Sequence, residues 1–186
     1  MSLSSLLDHP DASLVKIAAH LDGLDGANRV SECGELSAAR QKRMWELAMT
    51  VAQPVGGELI PAGQDSAVFA GRNSLGVFSH FQKRFARQGA EITGYNVHRL
   101  AWLIGPGYFM VEPGSHGTLR FDYGRVPSTA PAGWPRVSDN SSAMARPVYG
   151  GLLDEVAWVT PDVLIGSAFR GARPLGSYFV LARARV

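Results

Sequence analysis

From about residue 94 onward, the chain consists of short apolar runs separated by glycine and proline. The runs are HRLAWLI, YFMVE, TLRFDY, LLDEVAWV, VLIGSAF and SYFVLARAR. Each has the length of a β-strand and is rich in aromatic or β-branched side chains, which favour extended backbone. Because most connections are too short to cross over a sheet, neighbouring strands are expected to run antiparallel. This half of the chain therefore predicts an antiparallel sheet that curls into a small barrel.

The first part of the chain carries a different pattern, one typical of helices. Apolar side chains between Leu14 and Leu21 recur at positions i, i+3, i+4 and i+7, which places them on one helical face. Those between Met44 and Val51 repeat the same spacing, and a shorter helical turn in GANRVSECG links the two. We therefore expect the N-terminal part of the chain to form a helical hairpin packed on the sheet.

A further helix is predicted at 73–88, in the segment NSLGVFSHFQKRFARQ. Phe78, Phe81 and Phe85 fall at i, i+3 and i+7, so they share one apolar face of the helix. Gly89 stands where the helix would end. The apolar face is expected to point inward, and it would be an interaction surface if it were exposed.

These patterns define the fold class and the domain organisation. The predicted fold is α+β, with N-terminal helices packed on a C-terminal antiparallel sheet that forms a small barrel. The helical segment at 1–55 precedes a β-rich, barrel-like domain at 56–186, which carries the amphipathic helix at 73–88. With 186 residues, the chain is long enough for the two parts to form one compact unit.

The charge and cysteine content limit the classes of function that the chain can have. Charged residues make up 18% of the chain, below the usual quarter, which favours a surface covered by a second subunit in a homodimer or by a ligand. A net charge of +2 does not indicate a nucleic-acid partner. Cys33, the single cysteine, excludes an internal disulfide and suits the cytoplasm. Because the chain lacks a basic leader and a long apolar run, we expect no signal peptide and no membrane association.

The glycine-rich segment Gly105-Pro106-Gly107 raises the question of phosphate binding. Phosphate loops direct backbone N–H groups at the anion just before a helix begins. Here the next segment, YFMVE, is typical of a strand, and Pro106 has no N–H to donate. We therefore interpret the glycines as a turn or bulge between strands. The chain also lacks the motifs of hydrolases, nucleotide-binding loops and helical zinc sites, so we predict no cofactor and no bound metal.

A basic cluster is the strongest charge feature of the chain. It consists of Arg72, Lys83, Arg84 and Arg87, in and beside the predicted amphipathic helix. One interpretation is a site for phosphate or another anion. The other is the solvated face of a helix whose phenylalanines are buried. The sequence leaves both interpretations open.

Aromatic and polar side chains in and beside the predicted strands form the candidate ligand site. The aromatic members are Tyr108, Trp134, Tyr149 and Trp158, and the polar members are Asp122, Tyr123, Asn140 and Asp154. Aromatic walls with a few polar groups are typical of small-ligand pockets. The Pro- and Ser-rich stretch at 127–147 has the length of a lid. We therefore predict a barrel cavity that binds a small apolar or amphipathic molecule.

An enzyme acting on a small molecule is the alternative hypothesis. A buried carboxylate is costly unless it is paired, so Asp122 and Asp154 are expected to pair with arginines, face solvent or line a polar cavity. In the last case, one of them would act as a general acid or base. Lys83 or Arg84 would then hold an anionic group of the substrate.

Two parts of the chain resemble known families. The run GRNSLGVFSHFQKRF … GYN … GPGYF … DYGRVP … GWP … VYGGLLDEVAWVTPDVLIGSAFRG, within residues 71–182, resembles an uncharacterised bacterial protein family and implies no particular activity. The tail resembles the C-terminal module of the GXWXGK-associated domains of unknown function. The comparable positions are Met144, Leu152, Asp154, Leu164, Gly166, Phe179, Leu181 and Arg183. This second resemblance implies a small lipocalin-like antiparallel barrel.

Overall fold

A closed barrel of eight antiparallel strands forms the centre of the molecule, in a computed structural model that describes residues 1–51, 58–76 and 79–184. The strands are β1 (Ser66–Asn73), β2 (His80–Gln88), β3 (Glu91–Val97), β4 (Phe109–Pro113), β5 (Leu119–Asp122), β6 (Leu152–Thr160), β7 (Val163–Arg170) and β8 (Arg173–Ala184). Each strand pairs with the next along the chain, and β8 closes the barrel by pairing with β1. The predicted fold class, α+β with an antiparallel barrel, is confirmed.

Four helices in residues 1–51 lie on the outside of the barrel. They are α1 (Leu3–Asp8), α2 (Leu14–Asp22), α3 (Gly26–Gly34) and α4 (Ala38–Met49). The side chains of Ser13 and Ser37 accept hydrogen bonds from the first turns of α2 and α4, which caps both helices. Buried side chains such as Met44 share a core with Ile165 on the outer face of β7. The predicted helical hairpin is thus a layer of four helices.

The inward-facing side chains fill one end of the barrel with aromatic rings. The ring centroid of Phe85 lies 5.7 Å from that of Phe109 and 5.4 Å from that of Phe121. Trp158 and Leu164 belong to the same buried cluster. We call this cluster the aromatic core. The opposite end, where β1 joins β2, β3 joins β4, β5 joins β6 and β7 joins β8, is here called the open end.

The segment predicted as a helix at 73–88 is instead part of the barrel, and most of it forms β2. Phe81 and Phe85 are four residues apart, and this spacing places two side chains on one face of a strand as well as on one face of a helix. Lys83 lies between them, points the same way and is buried. Pairing with β1 and β3 satisfies the backbone on both sides of the strand. The inward phenylalanines form no exposed interaction surface, and Phe78 lies outside the described residues.

The run HRLAWLI, predicted as a strand, instead contains a short helix, α5 (Ala101–Ile104). The preceding strand, β3, ends at Val97. Gly105 and Gly107 then lead from α5 into β4 with φ angles of +81° and +58°, which favour glycine. These glycines form a turn, and it joins a helix to a strand rather than two strands.

The long connection between β5 and β6 wraps around the outside of the barrel. It comprises residues 124–145, here called the strap, and is followed by α6 (Arg146–Tyr149). Trp134 of the strap packs on Tyr108, with 6.3 Å between ring centroids. The side chain of Asn140 donates to the backbone carbonyls of Tyr108 and Tyr123, each at 2.8 Å. These contacts hold the strap against β4 and β5 and place α6 at the open end.

The helical layer and the barrel meet at a shared apolar core between α1–α4 and the outer faces of β6, β7 and β8. The boundary predicted at residue 55 stays a prediction, because residues 52–57 lie outside the described residues.

Within the described ranges, no helix has the length and apolar character needed to cross a membrane.

Candidate functional site

A cavity of about 740 Å³ occupies the open end of the barrel. Its polar floor is formed by Lys83, Asn96, Tyr123 and Asp154. Its apolar wall includes Phe81, Ile104, Leu152, Ala168 and Phe179. The floor rests on the aromatic core, since Lys83 Nζ lies 4.7 Å from the ring centroid of Phe109. A volume of this size is typical of a small-molecule site.

Lys83 is the centre of the polar floor. Its Nζ donates to Asn96 Oδ1 at 2.8 Å, to the Tyr123 hydroxyl at 2.5 Å and to Asp154 Oδ2 at 3.2 Å. These three acceptors engage all three protons of the ammonium group. The ammonium also lies 4.7–5.6 Å from the centroids of five aromatic rings, within the range of cation–π attraction. A buried cation is therefore compensated on all sides.

Burial displaces the pKa values of the ion pair in opposite directions. It lowers the pKa of the Lys83 ammonium below its usual 10.5, and the nearby Asp154 partly offsets this change. It raises the pKa of the Asp154 carboxyl above its usual 3.8, against the opposing effect of Lys83. Burial also raises the pKa of Tyr123 well above 10, so its hydroxyl stays protonated and donates to Asp154 Oδ2 at 3.1 Å.

A second polar pair, His98 and Tyr149, lies above the floor. His98 Nε2 and the Tyr149 hydroxyl are 2.8 Å apart. The ring of Tyr149 stacks on Tyr123, with 5.5 Å between centroids and 8° between ring planes. Gly107 permits this position, because a Cβ on Gly107 would lie 2.4 Å from the Tyr149 ring. Burial lowers the pKa of His98 below 6.5, so the imidazole is neutral at neutral pH, and its tautomer determines which of the two groups donates.

Exposed apolar side chains border the entrance of the cavity. Leu75, Val148 and Leu175 line the entrance, and each is at least 40% exposed. Trp102 of the neighbouring helix α5 is 80% exposed. A cluster of exposed apolar side chains at a cavity mouth marks a site where apolar molecules bind or enter.

Four of the residues predicted from the sequence meet in this cavity. Tyr123, Tyr149 and Asp154 come from the predicted ligand site, and Lys83 comes from the predicted anion site. Tyr123 directly follows β5, Tyr149 is the last residue of α6, and Asp154 and Lys83 lie in β6 and β2. These elements are distant along the chain and adjacent around the open end.

The remaining predicted ligand-site residues lie outside this cavity. Tyr108 and Trp134 pack together on the outer wall, and Asn140 anchors the strap. Trp158 belongs to the aromatic core. Asp122 faces outward beside the strap, where its Oδ1 accepts from the backbone N–H of Gly124 at 2.8 Å.

The predicted anion cluster is divided by the alternation of strands β1 and β2. Lys83 faces the interior, whereas Arg84 faces the opposite side of the same strand. Arg72 contacts the ring of His80, with 3.2 Å between Nη1 and Nδ1. Arg87 reaches the backbone carbonyl of Ile60. These four basic side chains therefore do not converge on one anion.

Asn96 and His98 belong to the cavity and were not predicted from the sequence. The alternation of the strand EITGYNV could have predicted that Asn96 faces inward, because Asn96 shares the face of Ile92 and Gly94. His98 has no such signal, since its position depends on the turn between β3 and β4. Both become recognisable only when β2 and β5 are placed beside them.

The described ranges contain no group of three or more His, Cys, Asp or Glu side chains that could hold a metal ion. Comparison of the chain with protein families, with curated proteins and with solved structures finds no match.

Proposed function

We propose that the protein binds a small amphipathic molecule in the barrel cavity. The observation that carries this proposal is a cavity of about 740 Å³ whose apolar wall leads to one polar cluster, built around Lys83 and Asp154. An apolar wall with few, fixed polar groups binds the body of a ligand by burial and orients its polar end. The exposed apolar entrance at Leu75 and Leu175 supports an apolar ligand body.

The hydrogen bonds of Lys83 favour a binding protein over the anion-holding enzyme that the sequence leaves open. All three ammonium protons are engaged by protein acceptors, so no proton is left for a ligand carboxylate or phosphate. Asp122 and Arg84, which also belong to that hypothesis, face away from the cavity, whereas Asp154 lines it.

One observation supports a narrower enzymatic candidate. The Asp154 carboxyl and the Lys83 ammonium line one cavity, and their pKa values are displaced toward each other, as in many acid–base sites. In this candidate, Asp154 exchanges a proton with the bound molecule. Mass analysis of a retained or added ligand, before and after incubation with the protein in D2O, tests it, because exchange of a carbon-bound proton would add deuterium to the ligand. Unchanged ligand mass at full occupancy would leave binding as the function.

Native mass spectrometry of the freshly purified protein tests the binding proposal, because it detects a retained ligand and counts subunits together. A displaceable neutral fluorophore, N-phenyl-1-naphthylamine, then reports occupancy of the cavity. Ala168→Phe narrows the cavity from β7, and we expect at least a tenfold loss of fluorophore affinity. Ala90→Phe, at the exposed turn between β2 and β3, is the matched control and should bind normally. Equal binding by both variants would place the fluorophore elsewhere and contradict the proposal.

Three further predictions from the sequence belong to this proposal: a lipocalin-like barrel, a homodimer and a cytoplasmic location. The resemblance of the tail to the GXWXGK-associated domains supports a lipocalin-like barrel that encloses a ligand. We also propose a homodimer, which the subunit count from native mass spectrometry tests. A cytoplasmic location is proposed because the single cysteine, Cys33, is a free thiol, and cell fractionation tests it.

A further inference from the structure

We propose that the polar end of the ligand is a neutral hydrogen-bond donor, a hydroxyl or an N–H group, which donates to Asp154 Oδ1. This inference rests on the proposed binding function and names the chemical class of the ligand. Its basis is the one polar oxygen of the cavity floor, Asp154 Oδ1, that makes no hydrogen bond within the described part of the chain.

Three of the four floor residues are satisfied by one another. Lys83 gives all three protons to Asn96, Tyr123 and Asp154. The amide group of Asn96 donates to the backbone carbonyl of Gly107 and to the Tyr123 hydroxyl, both at 3.2 Å. The Tyr123 hydroxyl accepts from Lys83 and Asn96 and donates to Asp154. Every N–H and O–H proton of these three side chains is therefore engaged, and each of their oxygens accepts at least one hydrogen bond.

Asp154 differs from these residues because only one of its oxygens is used. Within the described part of the chain, the hydrogen bonds of its carboxylate all fall on Oδ2. The fully enclosed side-chain atoms there that have no partner are Gln41 Oε1, Arg43 Nε, Arg72 Nε and Arg84 Nε. Asp154 Oδ1 is not among them, so it keeps an opening to the cavity that Asp154 lines. The residue as a whole is only 4% exposed.

A free carboxylate oxygen at the bottom of an apolar cavity selects for a donor. A ligand carboxylate or ether offers no proton to Oδ1, and a carboxylate would also meet a like charge. A ligand ammonium would offer protons, but the carboxylate is already neutralised by Lys83 at 3.2 Å. The added cation would therefore be buried without its own counter-ion, which is costly. A neutral hydroxyl or N–H donor meets neither penalty.

A series of ten-carbon compounds that differ only in the polar end tests this inference. The compounds are 1-decanol, decyl methyl ether, decanoate and decylammonium, each used to displace N-phenyl-1-naphthylamine from the protein. We expect decanol to displace the fluorophore at a concentration about tenfold lower than the ether, because a hydrogen bond to a charged acceptor is lost in the ether. Decanoate and decylammonium should also be weaker than decanol.

The double variant Lys83→Met with Asp154→Leu removes the acceptor together with its counter-ion. We expect it to bind decanol and the ether equally, whereas the control variant Asp122→Asn should keep the preference for decanol. If the double variant does not fold, the compound series on the wild-type protein still tests the inference, together with the single variant Asp154→Asn. In that variant an amide replaces the charged acceptor, so the preference for decanol over the ether should shrink.

The possible failures are distinct. Equal displacement by all four compounds, or tightest displacement by decanoate or decylammonium, would overturn the inference and leave the binding function intact. Displacement by none of them, with no fluorophore bound in the cavity, would overturn the binding function and this inference with it. A decanol preference that persists in the double variant would place the donor contact away from Asp154 and would overturn the inference.

Discussion

Lys83 on β2 and Asp154 on β6 are 71 positions apart in the sequence, and their side chains meet at 3.2 Å inside the barrel. Both residues are less than 5% exposed, so neither charge is stabilised by bulk water. Each charge therefore depends on the other for its compensation. This dependence makes the pair sensitive to the loss of one partner and tolerant of the loss of both.

The first prediction compares the single and the double replacement of this pair. We expect Lys83→Met to lower the free energy of unfolding by about 3–5 kcal/mol, because it leaves the Asp154 carboxylate buried without a counter-ion. Adding Asp154→Leu should restore most of the loss, because an apolar pair of similar volume needs no compensation. Urea unfolding followed by circular dichroism measures both. A double variant that is no more stable than Lys83→Met would contradict this account.

The second prediction concerns the close approach of Gly107 and Tyr149. A Cβ at Gly107 would lie 2.4 Å from the Tyr149 ring, and the φ angle is +58°. Gly107→Ala should therefore cost about 2–4 kcal/mol, from overpacking together with left-handed backbone. Gly133→Ala in the strap also has a positive φ, but its Cβ would meet nothing within 4 Å. This control should cost about 1–2 kcal/mol in urea unfolding, and equal losses would rule out the steric role of Tyr149.

The third prediction concerns the attachment of the strap. Asn140→Ala removes the amide that donates to the carbonyls of Tyr108 and Tyr123. We expect a loss of about 2–3 kcal/mol, because both carbonyls are left without that partner. Amide hydrogen exchange should become faster in residues 124–145. Asn28→Ala, on the exposed side of α3, is the control and should leave exchange in the strap unchanged. Unchanged exchange in Asn140→Ala would show that other contacts hold the strap.

The fourth prediction is a pH dependence at Asp162, which accepts from Arg29 of α3 at 2.5 Å and Arg183 of β8 at 2.7 Å. Partial burial raises the pKa of Asp162, but the two arginines outweigh it and hold the pKa below its usual 3.8. A lowered carboxyl pKa adds stability above the unfolded-state pKa, and that stability is lost as the pH falls through the folded-state value.

The variant Asp162→Asn should therefore unfold at a lower urea concentration than the wild type at pH 7. The difference should shrink below about pH 4 and vanish once Asp162 is protonated in both states. Urea midpoints measured from pH 7 to pH 2 follow this change. A stability difference between Asp162→Asn and the wild type that stays constant over the whole pH range would mean that the variant is destabilised for a reason other than the lost charge.

The cavity residues show where sequence reasoning succeeds and where it ends. Tyr123 and Asp154 were predicted as ligand-site residues because polar groups inside apolar strand patterns require an explanation. The sequence places Lys83 on a helix, either at an anion site or on the solvated face, since Phe81 and Phe85 have a spacing that fits both a helix and a strand. Pairing with the neighbouring strands β1 and β3 makes this segment a strand rather than a helix. Lys83 is therefore the buried partner of Asp154 and not a solvated cation.

The sequence by itself determined the helical N-terminal layer and the antiparallel, β-rich character of the C-terminal half, because strand length, alternation, helical periodicity and short connections are local properties of the chain. Only the tertiary structure decided which polar side chains meet. Closure of the barrel brings β2, β3, β5 and β6 around one cavity, although their contacts span up to 71 positions in sequence. Contacts over such separations depend on strand order and register, and a residue's own neighbours in the sequence carry no record of either.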